Sequence, residues 1–106
     1  MATIANWIWL QNVRAFVDVL ARLSGYELSE GEWDAIDSGV AVSDSDANPP
    51  RWYSYSFEGK SKVKFDVGHD KGTNVVQIRL TAPDEIVPRI QTALELMNSY
   101  VLTKDS

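Results

Sequence analysis

Four places in the chain have residue types at spacings that could do chemistry. Gly59-Lys60-Ser61 ends like a phosphate-binding loop, where backbone amides cradle phosphates and the lysine reaches them. That loop also needs a glycine five residues before its second glycine, and Ser54 stands there. It needs a helix after it as well, but here extended segments lie on both sides, so phosphate transfer is not expected. Asp44-Ser45-Asp46-Ala47-Asn48 begins like a calcium loop of the EF-hand kind. Its sixth position must turn sharply and holds Pro49; its twelfth, which should be a bidentate glutamate, holds Tyr55.

His69 is the only histidine, with Asp66 and Asp70 beside it. A His-Asp pair can act as a general base, but the chain has no strained G-x-S-x-G elbow to supply a nucleophile. A turn histidine in water is the simpler reading. One histidine without any cysteine does not make a zinc site. Glu30 and Asp34 are paired carboxylates one helical turn apart. Glycosidase-type work needs an apolar cleft to raise one of them, whereas a helix first turn lowers both. The sequence therefore points to no catalytic residue, no metal and no cofactor.

The elements that would carry these residues are legible from periodicity. Tyr53, Tyr55 and Phe57 share one parity, as do Val63, Phe65 and Val67, then Val76, Ile78 and Leu80. Successive strand side chains point to opposite faces, so each run has one oily and one wet side. This predicts a three-stranded antiparallel meander. Placing Phe57 opposite Val63 puts Tyr55 opposite Phe65, Tyr53 opposite Val67 and Glu58 opposite Lys62, around a Gly59-Lys60-Ser61 turn. The second turn, Gly68 to Asn74, leaves its register open.

A helix is expected over roughly Asn6 to Ser24, where Trp9, Val13, Phe16, Leu20 and Leu23 form one stripe, closed by Gly25 as a left-handed C-cap. Trp7 falls on the polar side of that stripe, hence exposed or outside the regular helix. Ser29 and Glu32 form a capping-box signature for a short helix ending at Gly39, with Trp33, Ile36 and Val40 as its buried side. Val40-Ala41-Val42 reads as a brief edge strand and Ser43 to Pro50 as a loop. A last helix starts near Val87, because Pro88 fits a first turn. Ile90, Leu94, Met97 and Val101 are its stripe, flanked by Ala93, Leu96 and Tyr100, with Glu95 and Asn98 pointing out. The fold class is α+β, a two-layer α/β sandwich in the order α-α(short)-β-β-β-α, with helices on one sheet face.

Length and charge bound the function. The 106 residues fit one domain. Absent cysteines exclude disulfides and fit a reducing compartment. The apolar N-terminus lacks a basic n-region and cleavage site, and no run approaches the ~18–20 apolar residues of a membrane helix. A cytoplasmic location without membrane contact is expected. Net charge is −5, and Glu27 to Asp46 holds seven acids and no base. Such a surface repels phosphate backbones, so nucleic acid is a poor partner and a basic protein surface a better one.

The wet sheet face carries Ser54, Ser56, Lys62, Lys64, Asp66, Gln77 and Arg79 with Trp52 at its edge. Trp and Arg are common interface anchors. The expected function is a small acidic protein-binding module of a bacterial-type cytoplasm. Small acidic α+β domains of this layout often serve as immunity or neutralising proteins, or as chaperones of secreted effectors; the analogy is one of class alone. Candidate contact residues are Glu30, Glu32, Asp34, Asp37, Asp44, Asp46, Trp52, Lys64 and Arg79. A homodimer through a sheet edge or the last helix is a further option. The alternative reading is a small-molecule site or modest enzyme, with a pocket of several hundred Å³ between helices and sheet that contains His69 and is lined by Tyr53, Tyr55, Tyr100 and Trp9.

Overall fold

A computed structural model of the chain describes residues 1–98. Its elements are β1 (Ala2–Trp9), a 3-10 turn (Leu10–Asn12), α1 (Val13–Ser24), α2 (Glu30–Val42), β2 (Tyr53–Glu58), β3 (Lys62–Asp70), β4 (Val75–Ala82) and α3 (Val87–Asn98). The architecture is α+β: one antiparallel sheet in the order β1-β4-β3-β2, with helices on one face. Among the described residues no helix is long and apolar enough to cross a membrane.

The hairpin register follows the alternation. Tyr53 pairs with Val67, Tyr55 with Phe65, Phe57 with Val63 and Glu58 with Lys62. The second hairpin pairs Phe65 with Leu80, Val67 with Ile78 and His69 with Val76. Phe57, Val63, Phe65, Val67, Val76, Ile78 and Leu80 are buried, with Tyr53 and Tyr55 half-buried at the β2 edge. A one-residue slip would turn all of them to water, so burial of one face pins the register.

The N-terminal segment departs from the expected helix. Residues 2–9 form a fourth strand, and regular α-helix starts only at Val13. Thr3, Ile4, Trp7, Ile8 and Trp9 are β-branched or aromatic and favour a pleated surface. Ile4 and Ile8 pair with Leu80 and Val76, which puts them on the helix-covered side. Trp7 and Trp9 have the opposite parity and lie on the open face. From Val13 onward the expected stripe holds: Val13, Phe16, Val17 and Leu20 are buried, and Gly25 closes the helix at φ 73°.

The second helix runs past Gly39 to Val42, so Val40-Ala41-Val42 is its last turn and not an edge strand. Gly39 is buried against β2, and a Cβ there would collide with the Tyr53 ring. The capping box is present: Ser29 Oγ accepts from the Glu32 amide at 3.2 Å, and Glu32 Oε1 accepts from the Ser29 amide at 3.0 Å. Ile36 and Val40 are buried and Trp33 is half-buried.

In α3, Ile90 and Leu94 are buried, whereas Leu96 is exposed. Asn98 turns inward, donating from Nδ2 to the Trp7 carbonyl at 2.8 Å. Tyr100 and Val101 lie outside the described residues. Asn12, itself buried, donates to the Met97 carbonyl at 2.8 Å and ties α3 to the start of α1.

Candidate functional site

The open sheet face is where side chains from distant parts of the sequence converge. Strand parity directs Trp7 and Trp9 from β1, Gln77 and Arg79 from β4, Lys64, Asp66, Gly68 and Asp70 from β3, and Ser54 from β2 to this side. The segment leaving α2 then adds to it. The Ser45 amide donates to the His69 carbonyl, and the His69 amide to Ser43 Oγ, both at 2.9 Å. Asp44 and Arg51 form an antiparallel bridge, and their side chains approach to 3.6 Å. This stub extends the sheet beside the end of β3 and brings Asp46 next to Asp70. The Asn48–Pro49 bond at its tip is cis.

Gly68 makes the next contact. It is buried beneath Trp52 and Ser45, and a Cβ there would come within 3.2 Å of the indole and 3.1 Å of Ser45. Glycine at this point lets the indole lie close on the sheet. The Arg79 guanidinium lies over that indole at 4.0 Å from the ring centroid. Arg79 also pairs with Asp66 at 3.6 Å, and Asp66 accepts from Ser54 Oγ at 2.6 Å. On β1, Trp7 and Trp9 meet edge-to-face with centroids 5.0 Å apart.

Between Trp7 and Trp52 runs a groove of about 630 Å³, floored by Gln77 and Arg79, with Asp46 and Asp70 at one end. Asp46 is raised above the ordinary carboxyl value, first by its hydrogen bond to the Asp70 side chain and then by the Asp70 and Asp44 charges. Two carboxylates in contact cannot both ionise freely, so one holds a proton more tightly.

The other acids are dispersed. Glu32 is half-buried and accepts from the Tyr26 hydroxyl at 2.5 Å, from the Tyr55 hydroxyl and from the Ser29 amide. The two phenols, Tyr26 first, hold its carboxyl at about 2. Tyr26 and Tyr55 are raised in turn, Tyr26 chiefly by that bond and Tyr55 chiefly by burial. Asp37 pairs with Arg14 at 3.1 Å, and Arg14 lies 4.6 Å over the Trp33 ring. Glu30 and Asp34 are exposed on α2. Lys64 is exposed on the open face, beside a shallow hollow shared with Thr3, Asp66 and Arg79.

Of the candidates read from the sequence, the fold therefore brings Asp46, Trp52 and Arg79 into one groove. Asp44 braces the stub that carries Asp46, and Lys64 flanks the groove's far side. Glu30, Glu32, Asp34 and Asp37 belong to the helix layer. Trp7 and Asp70 complete the groove; neither is among the contact residues expected from the sequence, which considers Asp70 only as a neighbour of His69. Trp7 would have been found had residues 2–9 been read as a strand.

The free edge of β1 is partly occupied. The Leu10 amide donates to the Asn74 carbonyl, which places the ladder bonds on even-numbered residues of β1 and turns the odd-numbered backbone groups outward. At Trp7 those groups are taken by side chains: Asn6 Oδ1 accepts from its amide, and Asn98 Nδ2 donates to its carbonyl, each at 2.8 Å. Among the described residues no group of three or more His, Cys, Asp or Glu is placed to hold a metal ion. Comparisons with protein-family models, curated proteins and solved structures give no match.

Proposed function

We propose that the chain is a protein-binding module whose open-face groove receives a lysine or arginine side chain from the basic surface of a partner protein. One observation carries this reading: Asp46 and Asp70 contact each other at the end of a groove walled by Trp7 and Trp52. A cation placed there removes the repulsion between the two carboxylates. The Trp7 indole adds a cation–π attraction of about 0.5–2 kcal/mol, while Trp52, stacked under Arg79, forms the opposite wall. Arg79 does not fill that role, since it is stacked on Trp52 and paired with Asp66. The exposed acids of α2 contribute longer-range attraction that steers a basic surface and raises the encounter rate. A neutralising protein or a chaperone, each of which masks a partner's basic surface, is the role that agrees with this chemistry.

The test uses Nα-acetyl-arginine amide as the probe and the tryptophan indole N–H signals as the readout. Binding should shift the Trp7 and Trp52 signals, weaken as salt is added, and be lost in the Asp46→Asn, Asp70→Asn double variant. Shifts confined to α2, or binding that the double variant leaves intact, would refute the groove as the docking site.

A further inference from the structure

A second cavity lies on the opposite side of the sheet, at the end of the sandwich where α1 begins and α2 finishes. It has a volume of about 400 Å³, within the roughly 300–1,000 Å³ of small-ligand pockets. Its floor is apolar: Val13 and Val40 are buried and Leu10 is half-buried. Its rim is cationic. The first fifty residues contain only two bases, and one of them, Arg14, is here. Lys71, from the β3–β4 turn, crosses to α2 and donates from Nζ to the Ala41 carbonyl at 2.6 Å. An ammonium has three N–H groups, so two remain for another acceptor.

His69 completes the rim. Its Nε2 lies 3.0 Å from the Thr73 carbonyl. A carbonyl only accepts, so Nε2 carries the proton and Nδ1 is left for other partners. The one carboxylate of the cavity among the described residues, Asp37, is engaged by Arg14 at 3.1 Å.

From this apolar floor under a cationic rim we infer that the cavity is a binding site for a small organic anion with an apolar body, such as an aryl or short alkyl carboxylate. The apolar part rests on Leu10, Val13 and Val40, and the carboxylate faces Lys71, since Arg14 is already paired with Asp37 and stacked on Trp33. The site is independent of the tryptophan groove, which opens on the other sheet face, so either assignment can fail without the other.

Phenylacetate, followed by amide NMR shifts on the full chain, is the probe. It should saturate a single site, with the largest shifts at Leu10, Val40, His69 and Lys71. Phenylacetamide has the same shape without the charge and should bind about fivefold more weakly, the upper range for one exposed ion pair. Ala41 is exposed at the cavity mouth, so Ala41→Trp should fill the site and abolish binding without loosening the core. Lys71→Met should erase the preference for the anion over the amide. Equal binding of acid and amide, shifts that survive Ala41→Trp, or a titration that never saturates would each overturn the assignment.

Discussion

Glu32 and Asp46 come from the same acidic stretch and differ by one methylene, yet their surroundings push them in opposite directions. Glu32 meets donors: two tyrosine hydroxyls and a backbone amide hold its charged form, and its carboxyl titrates at about 2. Asp46 meets another acid, and its contact with Asp70 favours the protonated form. The first carboxylate has its hydrogen bonds inside the molecule and fastens α2 to β2. The second is left with a repulsion that a cation from outside can relieve. In this protein, acidity in the sequence therefore divides into a fold-holding part and a part suited to binding. What separates the two is the set of donors each carboxylate finds.

The comparison can be broken most severely by moving α2 off the sheet. Gly39→Val places a branched side chain against the Tyr53 ring, and overpacking of this kind costs about 1–3 kcal/mol. The urea midpoint should fall, and the Glu32 titration should return toward the ordinary value because Tyr55 is no longer aligned. The groove signals of Trp7 should change little.

Glu32→Gln should have a smaller effect on stability, with a definite pH signature. A carboxyl lowered by folding from 4.5 to about 2 contributes stability that is complete above pH ~4.5 and lost as pH falls toward 2. The variant should be less stable than the parent at pH 7, and the gap should close progressively between those pH values. A gap that is constant with pH would show that the tyrosine bonds do not depend on the charge.

Arg79→Ala removes the guanidinium that covers Trp52. A stacked cation at an exposed site is worth about 0.5–1 kcal/mol and an exposed ion pair such as Arg79–Asp66 about 0–1 kcal/mol, so stability should drop by no more than about 2 kcal/mol. Trp52 fluorescence should shift as its ring gains contact with water. Arg79→Lys should recover only part of the effect, because an ammonium lacks the flat face that stacks on an indole.

Asp46→Asn should give the smallest change, and of opposite sign. A carboxyl raised by folding contributes stability that is present below its unfolded value and lost as pH rises through the folded one. Removing the charge should therefore leave the variant slightly more stable than the parent at pH 7, an advantage that disappears near pH 3. Thermal unfolding at the two pH values checks this.

How much of this was legible in the sequence depends on whether the signal was local. The β2–β3 register could be read because Phe57, Phe65 and their neighbours alternate strictly and the turn between them is short. The capping box at Ser29 and the glycine cap at Gly25 were equally local. The strand at residues 2–9 was hidden for two reasons. Trp7 and Trp9 are apolar although they face outward, which blurs the alternation. Trp9 also happens to fall in phase with Val13 and Phe16, which extends the helical stripe backwards. Its partner strand, moreover, lies at the other end of the sheet sequence, with Ala2 opposite Ala82. The groove inherits that difficulty. Asp46 and Trp52 are close in sequence, but Asp70 reaches them only through the bonds of Ser43 and Ser45 to His69, and Trp7 only through the pairing of β1 with β4 and of β4 with β3. The cavity lining differs for the same reason: Leu10 and His69 line it, while Tyr53, Tyr55 and Trp9 do not.

The claim that a cation is received between Asp46 and Asp70 is tested most directly by following the carboxyl carbon signals of both residues through an acid titration, with and without saturating Nα-acetyl-arginine amide. Asp46 should titrate above the ordinary aspartate range in the free protein and fall back into or below it when the probe is bound, while Glu32 stays near 2. An Asp46 midpoint that the probe leaves unmoved would contradict it.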